Sequence, residues 1–149
     1  RVTAIASYMK KNIRYNSDGV KKMNQYVKDN KIKAFTTEQQ YPFEDMFSAY
    51  GALCKGRCVC EGYTRAFNLL ARKAGVPAVL ASTKLHAWSI YKINGKYYEI
   101  DTTKAETKGH LIRKTKKFAQ QNIYKKLFSY VITGSEHVEM TPYGNDGEN

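Results

Sequence analysis

The dipeptide Asn94-Gly95 constrains the fold more than any other feature of the chain. It separates two β-rich runs, residues 85–93 and 96–101, and is the strongest short-range signal for a two-residue type I′ hairpin. A turn of that kind sets the register of everything beyond it. Ile93 must face Lys96, each further pair follows one step outward on both strands, and Asp101 falls opposite Trp88. His86 lies two residues from Trp88, so it projects from the same face as Asp101 and is its diagonal neighbour. Diagonal Cβ atoms in an antiparallel pair are about 7–8 Å apart or somewhat less, a gap that an imidazole and a carboxylate can bridge. A bulge would break this parity, and bulges are frequent beside active sites. A His–Asp surface pair at a sheet end is the alternative reading.

A thiol precedes this pair. From Cys60 to Ala74 the chain reads as an amphipathic helix, with Tyr63, Phe67, Leu70 and Ala74 at steps of three and four and Arg65, Arg72 and Lys73 off that stripe. Gly75 supplies a stop and Pro77 prevents continuation. Glu61 suits the positive end of the helix dipole. Cys60 is thereby predicted at the helix N-terminus, where unpaired N–H groups and the dipole favour a thiolate and can hold a developing oxyanion. The alternative is a small apolar core residue. A thiol, an imidazole and a carboxylate thus follow one another within about forty residues, and these are the nucleophile, base and orienting anion of cysteine acyl transfer.

The residues that carry this chemistry also carry a resemblance. The run Ala49-Tyr50-Gly51-Ala52-Leu53, then Val59-Cys60-Glu61-Gly62-Tyr63-Thr64-Arg65-Ala66-Phe67, then Ala74-Gly75-Val76, His86-Ala87-Trp88 and Asn94-Gly95-Lys96-Tyr97-Tyr98-Glu99-Ile100-Asp101-Thr102-Thr103 is similar to bacterial transglutaminase-like domains. The blocks stand in the family's order and span Tyr50 to Thr103. The flanks fit more loosely, Ser7 to Tyr15 as a lead-in helix and Lys126 to Val138 as a closing strand region. The resemblance implies an α+β, papain-like fold with Cys60 as nucleophile, His86 as general base and acid, and Asp101 as the orienting carboxylate. It implies transfer from glutamine carboxamides of proteins or peptides, through a thioester, to an amine or to water. A thiol peptidase with the same triad is the alternative within the enzyme class. No metal or organic cofactor is required, and the EF-hand loop signature for calcium is absent from the sequence.

Two departures stand out. Cys54 and Cys58 precede the nucleophile where the family carries small or aliphatic residues. Their spacing is not a common paired zinc pattern, so a Cys54–Cys58 bridge, a reversible disulfide on Cys60, or two spectator thiols are the readings to weigh. The side chain completing the oxyanion hole is not announced. Tyr50 matches a family position, with core packing as its alternative role; Gln39, Gln40, Tyr26 and Tyr15 are other candidates. Trp88, the single tryptophan, is expected to cover the His86–Asp101 pair, to wall the acyl-donor cleft, or to pack in the core.

Helix-period patterns at Val2, Ile5, Met9 and Ile13 and at Val20, Met23 and Val27 open the chain. A polar loop is expected over 28–40 and a short helix carrying Phe47 and Tyr50. Strands are expected over 76–82 and 128–133. Helices first and strands afterward give α+β rather than alternating α/β. At 149 residues the chain is one domain, expected over 1–142 with a polar, frayed tail at 143–149. A domain this size buries roughly 68–70% of its unfolded surface without disulfides. The sequence holds no run long enough for a membrane span. Because it begins with Arg1, it is expected to be a processed or trimmed fragment, and a secreted or cell-surface setting suits its composition.

The chain carries 25 basic against 13 acidic residues, a formal charge of +12. Between Lys104 and Lys126 eight basic residues meet one acid, Glu106. A patch this dense can engage an anionic cell wall, a membrane surface or nucleic acid, and a solvated surface with generic polyanion affinity is the default reading. No nucleic-acid motif accompanies it, and aromatics are sparse there. A non-catalytic module binding wall polymers through this patch is the reading from another class. A module of that kind would have no use for three catalytic residue types.

Overall fold

The computed structural model describes residues 1–33, 41–82, 86–103 and 111–114. The chain is α+β, as expected. Two helices, α1 (Val2–Asn12) and α2 (Ser17–Asp29), flank a two-residue strand β1 (Arg14–Tyr15). A 3₁₀ segment (Tyr41–Phe47), a short helix α3 (Ala49–Leu53) and strand β2 (Arg57–Cys58) lead into the long helix α4 (Cys60–Lys73). Strands β3 (Ala78–Ser82), β4 (Ala87–Ile93), β5 (Lys96–Asp101) and β6 (Leu111–Lys114) form one antiparallel sheet in chain order. Among the described residues, no helix is long and apolar enough to cross a membrane.

The helix α4 is the centre of the core. Tyr63, Ala66, Phe67 and Ala71 are fully buried, packed with Met9 and Ile13 of the α1 region and with Ala78, Tyr91 and Ile100 of the sheet. Phe67 meets the Tyr91 ring at 6.0 Å between centroids, and Tyr91 stacks on Tyr98 at 5.4 Å. Burial is wider than the apolar stripe, since Thr64 and Asn68 are also inside, so α4 is covered on more than one side. Its C-terminus closes as a Schellman motif: Gly75 (φ +78°) donates to the Arg72 carbonyl at 3.0 Å and Val76 to Ala71 at 2.8 Å.

The hairpin obeys its turn. Asn94 and Gly95 take φ of +49° and +73°, and Ile93 pairs Lys96 while Ser89 pairs Ile100. The ladder ends at the Ser89–Ile100 pair, with Trp88 and Asp101 next beyond it on their strands. Gly95 is the residue type that accepts this conformation without strain.

Three local differences from the sequence reading have physical causes. The parallel pair β1–β2, Arg14 facing Arg57 and Tyr15 facing Cys58, is too short to leave a period-2 pattern. Strand β6 lies inside the basic segment, its Leu-Ile-Arg-Lys run pairing β5 from Tyr98 to Asp101, where the lysine density masks any β signal. Tyr50 is not core: it is 57% exposed, with the Lys55 ammonium 5.5 Å from its ring centroid. The strand expected at 128–133, the 143–149 tail and most of the segments 28–40 and 104–126 lie outside the described residues.

Candidate active site

The position of Cys60 follows from what precedes it. Val59 is extended (φ −101°, ψ −175°) and caps α4 without a side-chain hydrogen bond, so Cys60 is the first helical residue. No side chain covers the first-turn N–H groups in the way an Asn or Ser cap would, and these groups have no acceptor within the helix. Two elements hold this end in place. The Val59 N–H donates to the Met46 carbonyl at 2.9 Å, and the buried Tyr63 hydroxyl donates to the Ile13 carbonyl at 3.2 Å. Glu61 is engaged on the helix surface by Arg65, whose guanidinium donates at 2.7 and 3.0 Å.

Gly62, in the same first turn, is a matter of space. A Cβ there would stand 2.4 Å from the Cys58 Cβ and 2.8 Å from the Met46 carbonyl oxygen. Only a glycine lets β2 and the 3₁₀ segment approach the helix this closely.

His86 sits one residue before β4 and Asp101 is the last residue of β5. The hairpin register makes them neighbours: His86 Nε2 lies 2.6 Å from Asp101 Oδ2. The Thr103 N–H donates to the other carboxylate oxygen at 3.1 Å, fixing the plane of the carboxylate. His86 is also in hydrogen-bonding contact with the Cys60 side chain. The Trp88 ring stacks on the imidazole, 6.1 Å between centroids and 22° between planes.

The electrostatics follow from these contacts. The Asp101 hydrogen bond, then that of Cys60, raise His86 to about 9 against the opposing effect of burial, so the ring is an imidazolium at neutral pH. Burial works to raise the Asp101 carboxyl, but its bond to His86, the charge of that ring and the Thr103 amide together hold it below the ordinary carboxylate value. Cys60 is half-buried, and His86 retains 33% of its side-chain exposure. A thiol, an imidazolium and a carboxylate brought together and partly exposed are the groups that can form and resolve an acyl-thioester.

The other cysteines separate by environment. No disulfide joins the three cysteines; Cys54 is exposed and Cys58 buried against Gly62, so the Cys54–Cys58 bridge is not formed. Among the described residues, no three His, Cys, Asp or Glu are placed to hold a metal ion. Tyr50 has Lys55 rather than the triad as its described ring partner, and Tyr26 packs edge-on against Phe43. Gln39 and Gln40 lie outside the described residues. One site feature had no signal in the sequence, the Thr103 amide on Asp101; Tyr15, one of the candidates named for the oxyanion, has Cys60 and Cys58 as its electrostatic neighbours.

A profile of the transglutaminase-like superfamily matches residues 1–102, the whole of the α1-to-β5 unit that carries these groups. The chain belongs to the transglutaminase-like superfamily. Among solved structures, it is similar to one described as "Crystal structure of a TGase", at 16% identity and a TM-score of 0.47, covering 68% of this chain. The chain spans about a quarter of that structure's length, 25%. A comparison with curated proteins finds no match.

Proposed function

We propose that this chain is a cysteine acyl-transfer enzyme of transglutaminase type, acting on glutamine side-chain carboxamides of proteins or peptides. The observation that carries the reading is the placement of His86 between the Cys60 sulfur and the Asp101 carboxylate, 2.6 Å from the latter. The Cys60 sulfur attacks the carboxamide carbon, a C–S bond forms, and the carbonyl electrons move onto oxygen. The tetrahedral intermediate collapses, the C–N bond breaks, and the His86 imidazolium gives its proton to the leaving nitrogen, releasing ammonia and leaving a thioester. His86, now neutral, takes a proton from the incoming amine or water, which attacks the thioester; the C–S bond breaks and the sulfur leaves as a thiolate beside the regenerated imidazolium. Asp101 keeps the ring oriented and stabilises its charged form throughout.

Mass spectrometry of a glutamine peptide incubated with the protein and a primary amine tests this. Transfer adds the amine mass less about 17 Da for ammonia, deamidation adds about 1 Da, and peptide-bond cleavage gives fragments, all three through the same acyl-enzyme. The expected result is amine incorporation that disappears in Cys60→Ala. Fragments dependent on Cys60 would instead make the protein a thiol peptidase. An unmodified peptide would overturn the acyl-transfer reading.

A further inference from the structure

The acyl-transfer reading names a nucleophile, a base and an orienting acid but no side chain for the oxyanion. Strand β1 offers one. Tyr15 pairs with Cys58 in the parallel β1–β2 ladder, and paired residues of a ladder project to the same side. On that side Cys58 packs against Gly62 in the first turn of α4. The strands stand roughly 4.8 Å apart, and only Val59 separates Cys58 from Cys60, so Tyr15 and Cys60 are carried on neighbouring stretches of backbone. The position is anchored on both flanks. Arg14 donates to the Gly56 carbonyl at 2.8 Å and Asn16 to the Cys58 carbonyl at 3.0 Å, while Tyr63 of α4 holds the Ile13 carbonyl. Yet Tyr15 is 40% exposed, a large ring left at the surface beside a half-buried thiol.

The electrostatics agree. Burial first, then the neighbouring Cys60 and Cys58 sulfurs, raise the Tyr15 phenol above its ordinary value. The hydroxyl therefore feels both sulfurs and keeps its proton throughout the neutral range. The other tyrosines considered for the task are engaged elsewhere, Tyr50 beneath Lys55 and Tyr26 on Phe43.

We propose that Tyr15 is a catalytic residue of this site, its hydroxyl donating a hydrogen bond to the oxyanion formed when the Cys60 sulfur adds to the acyl carbonyl. It acts beside the uncapped N–H groups at the start of α4. The tyrosine proton is not transferred; it stays on the phenol while negative charge gathers on the carbonyl oxygen, and the bond weakens again when the intermediate collapses. The inference rests on the acyl-transfer reading.

The test is Tyr15→Phe, which removes one oxygen and keeps the ring. Two rates are measured side by side: acylation of Cys60 by 4-nitrophenyl acetate, which passes through an oxyanion, and alkylation of Cys60 by iodoacetamide, which does not. Acylation is expected to fall about 10²–10³-fold, the usual effect of deleting one oxyanion donor, with alkylation unchanged. Acylation of Tyr15→Phe equal to that of the unaltered protein overturns the role of Tyr15 alone. A parallel loss of alkylation also overturns it, because Tyr15 would then act on the sulfur. An unaltered protein whose Cys60 is neither acylated nor alkylated overturns the acyl-transfer reading and Tyr15 with it.

Discussion

His86 and Asp101 are fifteen residues apart in sequence, yet their side chains meet at 2.6 Å because a two-residue turn fixes the register of β4 against β5. The contact orients the ring: Nε2 donates its N–H to the carboxylate and is held in the charged form by it. Asp101→Asn keeps the shape but removes the charge that holds the proton on Nε2. Turnover of a glutamine peptide is expected to drop on the order of 10³–10⁴-fold, with the fold intact by circular dichroism. Turnover near that of the unaltered protein would mean that the carboxylate serves structure and not chemistry.

The pH dependence follows from the same pair. His86 is raised from 6.5 to about 9, so the imidazolium that protonates the leaving nitrogen is lost as pH rises through about 9. The alkaline limb of kcat/KM for a carboxamide substrate is expected there. Stability moves with the same sign. A group whose folded pKa is raised stabilises fully below its unfolded value, near 6.5, and loses that contribution as pH rises through about 9. Asp101, lowered from 3.8, contributes above that value and loses its contribution as pH falls below it. Thermal unfolding of His86→Ala against the unaltered protein should therefore show its largest deficit between 3.8 and 6.5 and little above pH 9. A deficit that is flat with pH would place the stabilisation in packing against Trp88.

Much of the site was legible because its geometry is local. Asn94-Gly95 determines a register, and the register determines which side chains meet; Gly75 and Pro77 mark where α4 ends. The contact between Cys60 and His86 is of a different kind, since no period or turn joins a helix start to a strand start. The family blocks supplied that part of the expectation, and tertiary packing of α4 against the sheet supplies it in the structure. Strand β1 stayed invisible because two residues carry no pattern, and its place is given by the backbone of β2. The core-packing alternative for Tyr50 fails for a related reason: its helix is five residues long, and one turn does not define a buried face.

The three thiols should report their surroundings directly. Cys54 is exposed, Cys60 half-buried and Cys58 fully enclosed. Iodoacetamide at pH 6 should label Cys60 ahead of Cys54, because a nucleophile paired with a neighbouring base reacts ahead of an unassisted thiol. Cys58 should react only after denaturation. Peptide mapping after timed quenching checks both statements. Labelling of Cys54 and Cys60 at equal rates would count against an activated nucleophile, and native labelling of Cys58 would mean that β2 leaves its place against α4.

Two glycines next to the same machinery separate conformation from space. A Cβ on Gly95 meets nothing within 4 Å, so Gly95→Ala costs only the left-handed backbone, about 1–2 kcal/mol. At Gly62 the helical backbone suits any residue, but an added Cβ collides with the Cys58 Cβ at 2.4 Å and the Met46 carbonyl at 2.8 Å. Neither obstacle is the flexible end of a long side chain, so β2 and the 3₁₀ segment must back away from α4. Overpacking of this kind costs about 1–3 kcal/mol, occasionally more. Urea unfolding should rank Gly62→Ala at least as damaging as Gly95→Ala. The functional consequences should diverge further. Gly62→Ala displaces the start of α4, and with it the Cys60 sulfur, so alkylation and acyl transfer both fall even where the protein remains folded. Gly95→Ala leaves the turn's position in the ladder unchanged, and once folded it should retain most of its activity. Full activity in a folded Gly62→Ala variant would show that the close approach of β2 does not position the nucleophile.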